Sequence, residues 1–306
     1  MEFSVSREQL LEKGLTAASV VERKQTMAIL ANVLIEVDAT GAVVTGTDLD
    51  TEISTHMELV EVASGGAVTV PGKKLVDIAK ALPEGSIVQF KQDGTQMLLS
   101  SGRSRFKLGS LPSTDYPRLE IRGDFTTVTL AKGPLQDAIA KTQFAMAQQD
   151  VRYYLNGMLF AIGGGEFRTV ATDGHRLSLY QTPLEGLTSE PASLIVPRKA
   201  VLELARLAGS ADDSVEVSFS TSHFRVAGPT FTFTSVLIDG RFPDYERVVP
   251  QGGDHVVRVD RKRLREVLVR AAILSSEQYR GVRLCLSQGQ IDVMANNAEQ
   301  EEAQES

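Results

Sequence analysis

Cysteine is nearly absent from this sequence. The one thiol, Cys285, has no intramolecular partner for a disulfide and cannot assemble a thiolate metal cluster, which fits a reducing compartment. Apolar runs are short: none approaches the ~18 residues of a membrane-spanning helix, and Met1 to Leu10 carries neither a basic leader nor an apolar core. These absences predict a cytoplasmic chain that is neither secreted nor inserted in a membrane. Positive charge is not in excess either. Lys and Arg number 32 against 39 Asp and Glu, a net charge of −7, so a nucleic-acid role would need local clusters of basic residues. No nucleophile elbow, Gly-rich phosphate loop or zinc-finger pattern is present.

What is present is an ordinary globular composition, 42% hydrophobic and 23% charged over 306 residues, enough for two domains or a little more. The chain also repeats at domain length. Leu10, Leu135 and Leu264 occupy the same place in three strand-then-helix segments, Phe3 to Ala18, Val128 to Ala145 and Val256 to Leu274. Ala42 to Asp48 returns as Phe167 to Asp173 and again as Asp292 to Asn297. Val70-Pro71 before Lys73 matches Val196-Pro197 before Lys199, and Asp115-Tyr116 matches Asp244-Tyr245. Every landmark recurs after about 125 residues, which predicts tandem domains over 1–124, 125–253 and 254–306. The third copy ends before any counterpart of Val70-Pro71, so it is expected to hold only the N-terminal part of its domain and to associate weakly, a stable homodimer being expected only of a full-length chain.

Within each copy the periodicity predicts two helices. Ser6 and Gln9 form a capping-box pattern ahead of a face made by Leu10, Leu11, Leu15 and Ala18. Pro71 fixes the start of the second helix, with Leu75, Ile78, Ala79 and Leu82 on one face and Val201, Leu204, Ala205 and Ala208 in the next copy. Period-two segments such as Gln96 to Leu99 and Phe231 to Val236 predict short strands between turns. The fold class is therefore α+β, with two strand-helix-strand units per domain and helices on one face of antiparallel sheet.

Several stretches resemble the bacterial sliding-clamp family, the beta subunit of DNA polymerase III: Gly46-Thr47-Asp48-Leu49, Ser101 to Phe106, Asp150 to Gly157, Thr172 to Leu177, Asp239 to Tyr245 and Ala295-Asn296-Asn297. The resemblance runs in order along the whole chain. It implies a non-catalytic tether without cofactor or metal, in which two chains close head to tail into a ring of six similar domains, with helices lining a hole around duplex DNA. Contacts would then be to phosphates, independent of sequence and sensitive to salt.

The resemblance assigns DNA contact to Lys24, Lys73, Gln149, Arg152, Tyr153 and Tyr154. Basic residues also collect at Arg23, Lys74, Lys132, Lys141, Arg198, Lys199, Arg261 to Arg263 and Arg265, a pattern that a solvated helix face shows equally well. If Tyr153 and Tyr154 lie in a strand they point to opposite faces and one of them is core. The other is placed to stack on an exposed template base. A peptide groove is implied at Leu155, Thr172, Gly174, His175, Arg176, Leu177, Pro243, Arg247 and Val248. It would accept tails of the replicative polymerase, the clamp loader and repair polymerases. The competing reading is that Leu155, Leu177 and Val248 are core.

The same segment raises a hydrolase alternative, since Asp173 and His175 are residue types that perform acid-base chemistry. A further alternative is a truncated or specialised paralogue that binds partners without encircling DNA. For the joint between copies, the resemblance implies Lys74, Arg103, Arg105 and Phe106 on one side. Ile273, Leu274, Glu299, Glu301 and Glu302 supply the other, basic against acidic around an apolar centre.

Overall fold

Ser6 ends a strand and begins a helix. Its backbone is extended, with φ −69° and ψ 147°, and its hydroxyl accepts the N–H of Gln9 at 3.2 Å. Only half of the capping box forms, because Gln9 Oε1 is buried without a hydrogen-bond partner and does not reach back to the Ser6 N–H. This computed structural model describes residues 1–21, 27–119, 124–185, 191–209, 213–276 and 281–306. They form two compact units, Met1–Pro243 and Asp244–Ser306.

The first repeat runs β1 (Glu2–Ser6), α1 (Arg7–Ala18), β2 (Asn32–Asp38), β3 (Gly41–Thr47), β4 (Thr51–Met57), β5 (Glu61–Ser64), β6 (Gly66–Pro71), α2 (Gly72–Ala81), β7 (Ile87–Asp93), β8 (Gln96–Ser101) and β9 (Ser104–Gly109). The second runs β10 (Thr126–Ala131), α3 (Lys132–Thr142), β11 (Gly157–Gly163), β12 (Glu166–Thr172), β13 (Leu177–Pro183), β14 (Ala192–Pro197), α4 (Arg198–Gly209), β15 (Ser214–Phe219), β16 (His223–Ala227) and β17 (Phe231–Val236). Helices pack on antiparallel sheets, as the α+β pattern predicts. The sheets are β5-β1-β7-β8-β9, β13-β12-β11-β14 and an eight-stranded β10-β15-β16-β17-β4-β3-β2-β6. The last crosses from one repeat to the other, because β17 pairs with β4 from Phe231 opposite Thr55 to Ser235 opposite Thr51.

Helix α1 buries Leu10, Gly14 and Ala17, while Leu15, expected on the buried face, is 42% exposed. The buried stripe turns away from Leu15 because α1 lies directly on β3, where a Cβ on Gly46 would sit 1.9 Å from the Ala17 carbonyl oxygen. Pro71 closes β6 and caps α2, whose buried residues are Gly72, Leu75, Val76 and Ala79. The matching helix α4 buries Ala200, Val201, Leu204, Leu207 and Ala208. Phe160, Phe167, Phe224 and Phe233 are fully buried in the second repeat, each contributing about 2–3 kcal/mol of apolar burial.

The second unit holds α5 (Arg261–Ala271) over the three-stranded sheet β18 (Arg283–Ser287), β19 (Gln290–Asn296) and β20 (Glu302–Glu305). Val267, Ala271, Val293 and Ala295 make its core. The strand expected at Val256 does not form. Its counterparts β1 and β10 pair with β7 and β15, and no described strand of this unit pairs with residues 256–259. Val256 and Val257 are accordingly exposed. No helix among the described residues is long and apolar enough to cross a membrane.

Candidate functional site

A four-residue turn joins β12 to β13, and its own side chains set its shape. The Asp173 carboxylate accepts the N–H groups of His175 at 2.9 Å and Arg176 at 3.0 Å through Oδ1. Thr172 Oγ1 accepts the N–H of Gly174 at 3.1 Å and donates to the Arg176 carbonyl at 2.7 Å. Gly174 takes φ 88°, a left-handed conformation that a side chain would strain. The turn after β3 is built the same way: Asp48 Oδ1 accepts from Asp50 and Thr51, and Thr47 Oγ1 bonds Leu49 and Thr51. Repetition in sequence is therefore repetition of turn chemistry.

Arg152 reaches this turn from a neighbouring loop. Its guanidinium bonds both oxygens of Asp150, at 2.9 and 2.8 Å, and donates to the Asp173 carbonyl at 3.2 Å. Asn156 braces the loop by accepting the Asp150 N–H at 2.9 Å and donating to its carbonyl at 2.8 Å. Bonding to Arg152 holds the Asp150 carboxyl down to about 2. At Asp173 burial pushes the pKa up, but the N–H groups of His175 and Arg176 and the Arg176 charge outweigh it, leaving a net lowering. Arg176 bonds Asp173 Oδ2 at 3.2 Å and lies over the Phe144 ring, 5.6 Å from its centroid. Two guanidinium groups, each fixed by its own aspartate, thus stand at one turn.

The tyrosine expectation needs correction. Tyr153–Leu155 is a 3-10 turn, not a strand, so the rings do not alternate between two faces. Tyr153 is 57% exposed, Tyr154 is half-buried, and they meet edge to face with centroids 5.7 Å apart. Neither is core. Gln149, at φ 56°, turns the chain just before them. A Cβ on Gly240 would contact Tyr153 at 3.4 Å, so the segment leading to Pro243 lies beside the same turn.

Of the groove candidates in the first unit, Leu155 is core at 2% exposure, Thr172 and Leu177 are half-buried, and Gly174, His175, Arg176 and Pro243 are exposed. Arg247 and Val248 belong to the second unit, where both are exposed and Arg247 pairs with Asp244 at 2.7 Å. The hydrolase alternative fails on geometry, since both oxygens of Asp173 are committed to the turn N–H groups and to Arg176. Asp150, Asn156 and Phe144 were missed by the sequence reading. Asp150 and Asn156 lie inside the quoted motif, but no local pattern marks the exposed ring of Phe144.

Lys24 and Arg23 lie outside the described residues. Lys73 and Lys74 are exposed on the first turn of α2. Other basic residues have partners: Lys199 bonds Asp48, Lys141 bonds Asp137 at 2.9 Å, and Arg198 donates to the Met146 carbonyl at 3.3 Å. Arg103 sits in the turn before β9, while Arg105 is exposed on it and Phe106 packs half-buried against the first core. Ile273 is 75% exposed beside half-buried Leu274, and Glu299, Glu301 and Glu302 are all exposed.

Sequence profiles described as the N-terminal, central and C-terminal domains of the DNA polymerase III beta subunit match residues 1–120, 129–244 and 246–306. The beta sliding clamp of Pseudomonas aeruginosa is 47% identical over 305 residues, and that of Escherichia coli K12 is 44% identical over 305. Each alignment covers 100% of this chain and 83% of the relative. Among solved structures, the Pseudomonas aeruginosa DnaN sliding clamp bound to griselimycin superposes with a TM-score of 0.96 at 47% identity. Caulobacter crescentus pol III beta gives 0.91 at 34%. Each covers 100% of this chain and 83% of that structure.

Proposed function

The chain belongs to the DNA polymerase III beta subunit family, the beta sliding clamps, and on that premise we propose how its parts serve the family's work. It is a processivity clamp of DNA replication, not a catalyst. A tether must hold duplex DNA without halting on it, so contacts should fall on phosphates and be few. Lys24, Lys73, Gln149, Arg152, Tyr153 and Tyr154 supply them, with Tyr153 exposed enough to stack on an unpaired base. The work is done in the cytoplasm, and domains divide near 124 and 253.

The groove takes short linear peptides from the replicative polymerase, the clamp loader and repair polymerases. Leu177 and Pro243 provide apolar contact, and Arg152, His175 and Arg176 a polar rim. Leu155 supports the floor from within the core rather than meeting the peptide. The family resemblance also assigns Arg247 and Val248 to this groove. The sliding clamps of Pseudomonas aeruginosa and Bartonella birtlesii have each been solved bound to griselimycin, which supports a ligand-binding surface in the family.

Two copies close a ring through a joint that follows the pairing of β17 with β4. The counterpart of β17 in the first repeat is β9, and the counterpart of β4 in the third is β20. In the first joint Thr234 lies opposite Glu52 and Phe233 opposite Ile53. By matching the hairpins, Lys107 would lie opposite Glu302 and Phe106 opposite Ala303 of a second copy, and the family resemblance adds Lys74, Arg103 and Arg105 against Glu299 and Glu301 around Ile273 and Leu274. The observation that carries the function is the ordered match of all three domain profiles. A topological assay tests it: a larger fraction of the protein should be retained on nicked circular DNA than on the same DNA cut to a linear form, and equal retention on the two would reject encirclement.

A further inference from the structure

The first two repeats match position by position around the groove of the second. Thr47 stands opposite Glu52 in the pairing of β3 with β4, as Thr172 stands opposite Leu177 in that of β12 with β13. Glu52 therefore occupies the place of Leu177. Buried Leu30 occupies that of Leu155, and each donates its N–H to the carbonyl three residues earlier. Where the two copies close, Asp115-Tyr116-Pro117-Arg118-Leu119 matches Asp244-Tyr245-Glu246-Arg247-Val248, so Arg118 and Leu119 stand for Arg247 and Val248. The first repeat has a counterpart for each part of the groove.

The difference is one of charge. Glu52 Oε2 accepts the N–H of Leu119 at 3.1 Å and lies 3.5 Å from Arg118 Nε, while Arg118 donates to Glu36 Oε2 at 2.9 Å. Glu36 lies four residues along β2 from Asn32, the partner of Pro71, and Ala161 lies four along β11 from Gly157, the partner of Pro197. Both carboxylates that hold the segment are therefore replaced by apolar side chains, Leu177 and Ala161, in the second copy. Tyr116 completes the seating: its ring is buried with Ile29 and Leu34, and its hydroxyl reaches the Asn32 and Thr45 carbonyls at 3.3 and 3.1 Å. Leu119 is half-buried, whereas Val248 is 67% exposed. Burial pushes the Glu52 carboxyl up even beside Arg118, as expected of an acid standing where the second copy has an apolar side chain.

We infer that the first repeat holds a second peptide groove, closed by the chain's own Arg118 and Leu119, and that Glu52 is the latch that keeps it closed. The inference rests on the groove proposed for the second repeat, and the ligand class is the same: a short linear peptide with apolar side chains. Each chain then offers partners one open groove, because the counterpart is already filled.

The test counts peptides bound per full chain, by equilibrium titration of a fluorescent peptide copied from the replicative polymerase. The parent should bind one and Leu177→Asp none. Glu52→Leu should bind two, and Glu52→Leu combined with Leu177→Asp should bind one, which places the new site in the first repeat. Hydrogen exchange at the Leu119 amide should quicken about tenfold in Glu52→Leu. Arg118→Ala, which leaves β4 unaltered, should do the same and decides the matter if Glu52→Leu does not fold. A Leu119 amide that exchanges as in the parent would show that Glu52 is not a latch. A released amide with one peptide still bound per chain would show that no groove lies beneath. Either result overturns the inference and leaves the groove of the second repeat in place, whereas a parent chain that binds no peptide removes that groove and this inference together.

Discussion

The Arg152 guanidinium lies directly on the backbone of Gly174. A Cβ at position 174 would stand 2.9 Å from one terminal nitrogen and 3.0 Å from the other. Gly174→Ala should therefore push Arg152 off the turn and also strain a φ of 88°, at a cost of about 1 kcal/mol. Expected together are a modest fall in melting temperature and a clear loss of affinity for a partner peptide. Unchanged peptide affinity in a crystal-verified Gly174→Ala would show that Arg152 has no part in the groove.

Asp150 sets the pH behaviour of that loop. Its carboxyl is held down to about 2 from a reference of 3.8 by the bond to Arg152. A depressed carboxylate stabilises the fold above its unfolded pKa, and that contribution fades as pH falls from about 4 towards 2. NMR titration should place the Asp150 midpoint near 2, and Arg152→Ala should return it towards the reference value. A midpoint that ignores Arg152 would mean the pair seen here is not populated in solution.

The same pair bears on DNA. Phosphate and the Asp150 carboxylate compete for one guanidinium, so Asp150→Asn should strengthen sequence-independent DNA binding and steepen its salt dependence by about one ion. Tyr153→Ala should weaken binding to primed single-stranded template by about 1–3 kcal/mol, with little effect on duplex. Equal losses on both substrates would place Tyr153 at phosphates rather than at a base.

Much of this was legible in sequence because it depends on local rules. The repeat revealed the turns, since Thr47-Asp48 and Thr172-Asp173 build their loops from side chain to nearby N–H. Helix starts at Ser6 and Pro71 were visible for similar reasons. What escaped depends on contacts distant in sequence: the rotation that exposes Leu15, the placement of Arg152 on Gly174, and the pairing of Lys199 with Asp48. The strand expected at Val256 failed likewise, because a strand needs a partner and its own pattern does not supply one.

Leu155 and Leu177 should separate core from groove. Leu155 is buried at 2%, so Leu155→Ala should cost about 2–4 kcal/mol of stability whatever it does to peptide binding. Leu177 is half-buried at the start of β13, where an added carboxylate keeps access to water. Leu177→Asp should thus leave the melting temperature within a few degrees while abolishing peptide binding. If it unfolds the second repeat, Leu177 is core and the groove lies elsewhere.

The strand pairing proposed between copies is the last relationship open to a direct test. In the observed joint, Thr234 of β17 and Glu52 of β4 stand opposite each other. The matched positions in a second joint are Lys107 and Glu302, both exposed and of opposite charge. An exposed cross-strand pair contributes only about 0.2–1 kcal/mol, whereas like charges directly opposite cost a comparable amount. Lys107→Glu and Glu302→Lys should therefore each weaken self-association severalfold, and the two together should restore most of it. Restoration is the informative outcome, because a general change in net charge cannot produce it. It would fix the register to the residue, since a slip by one position would set position 107 against Glu301 or Ala303 and leave the exchanged charges unmatched. Two single losses that simply add would show that the copies meet in another register, even if they still meet through the same edges.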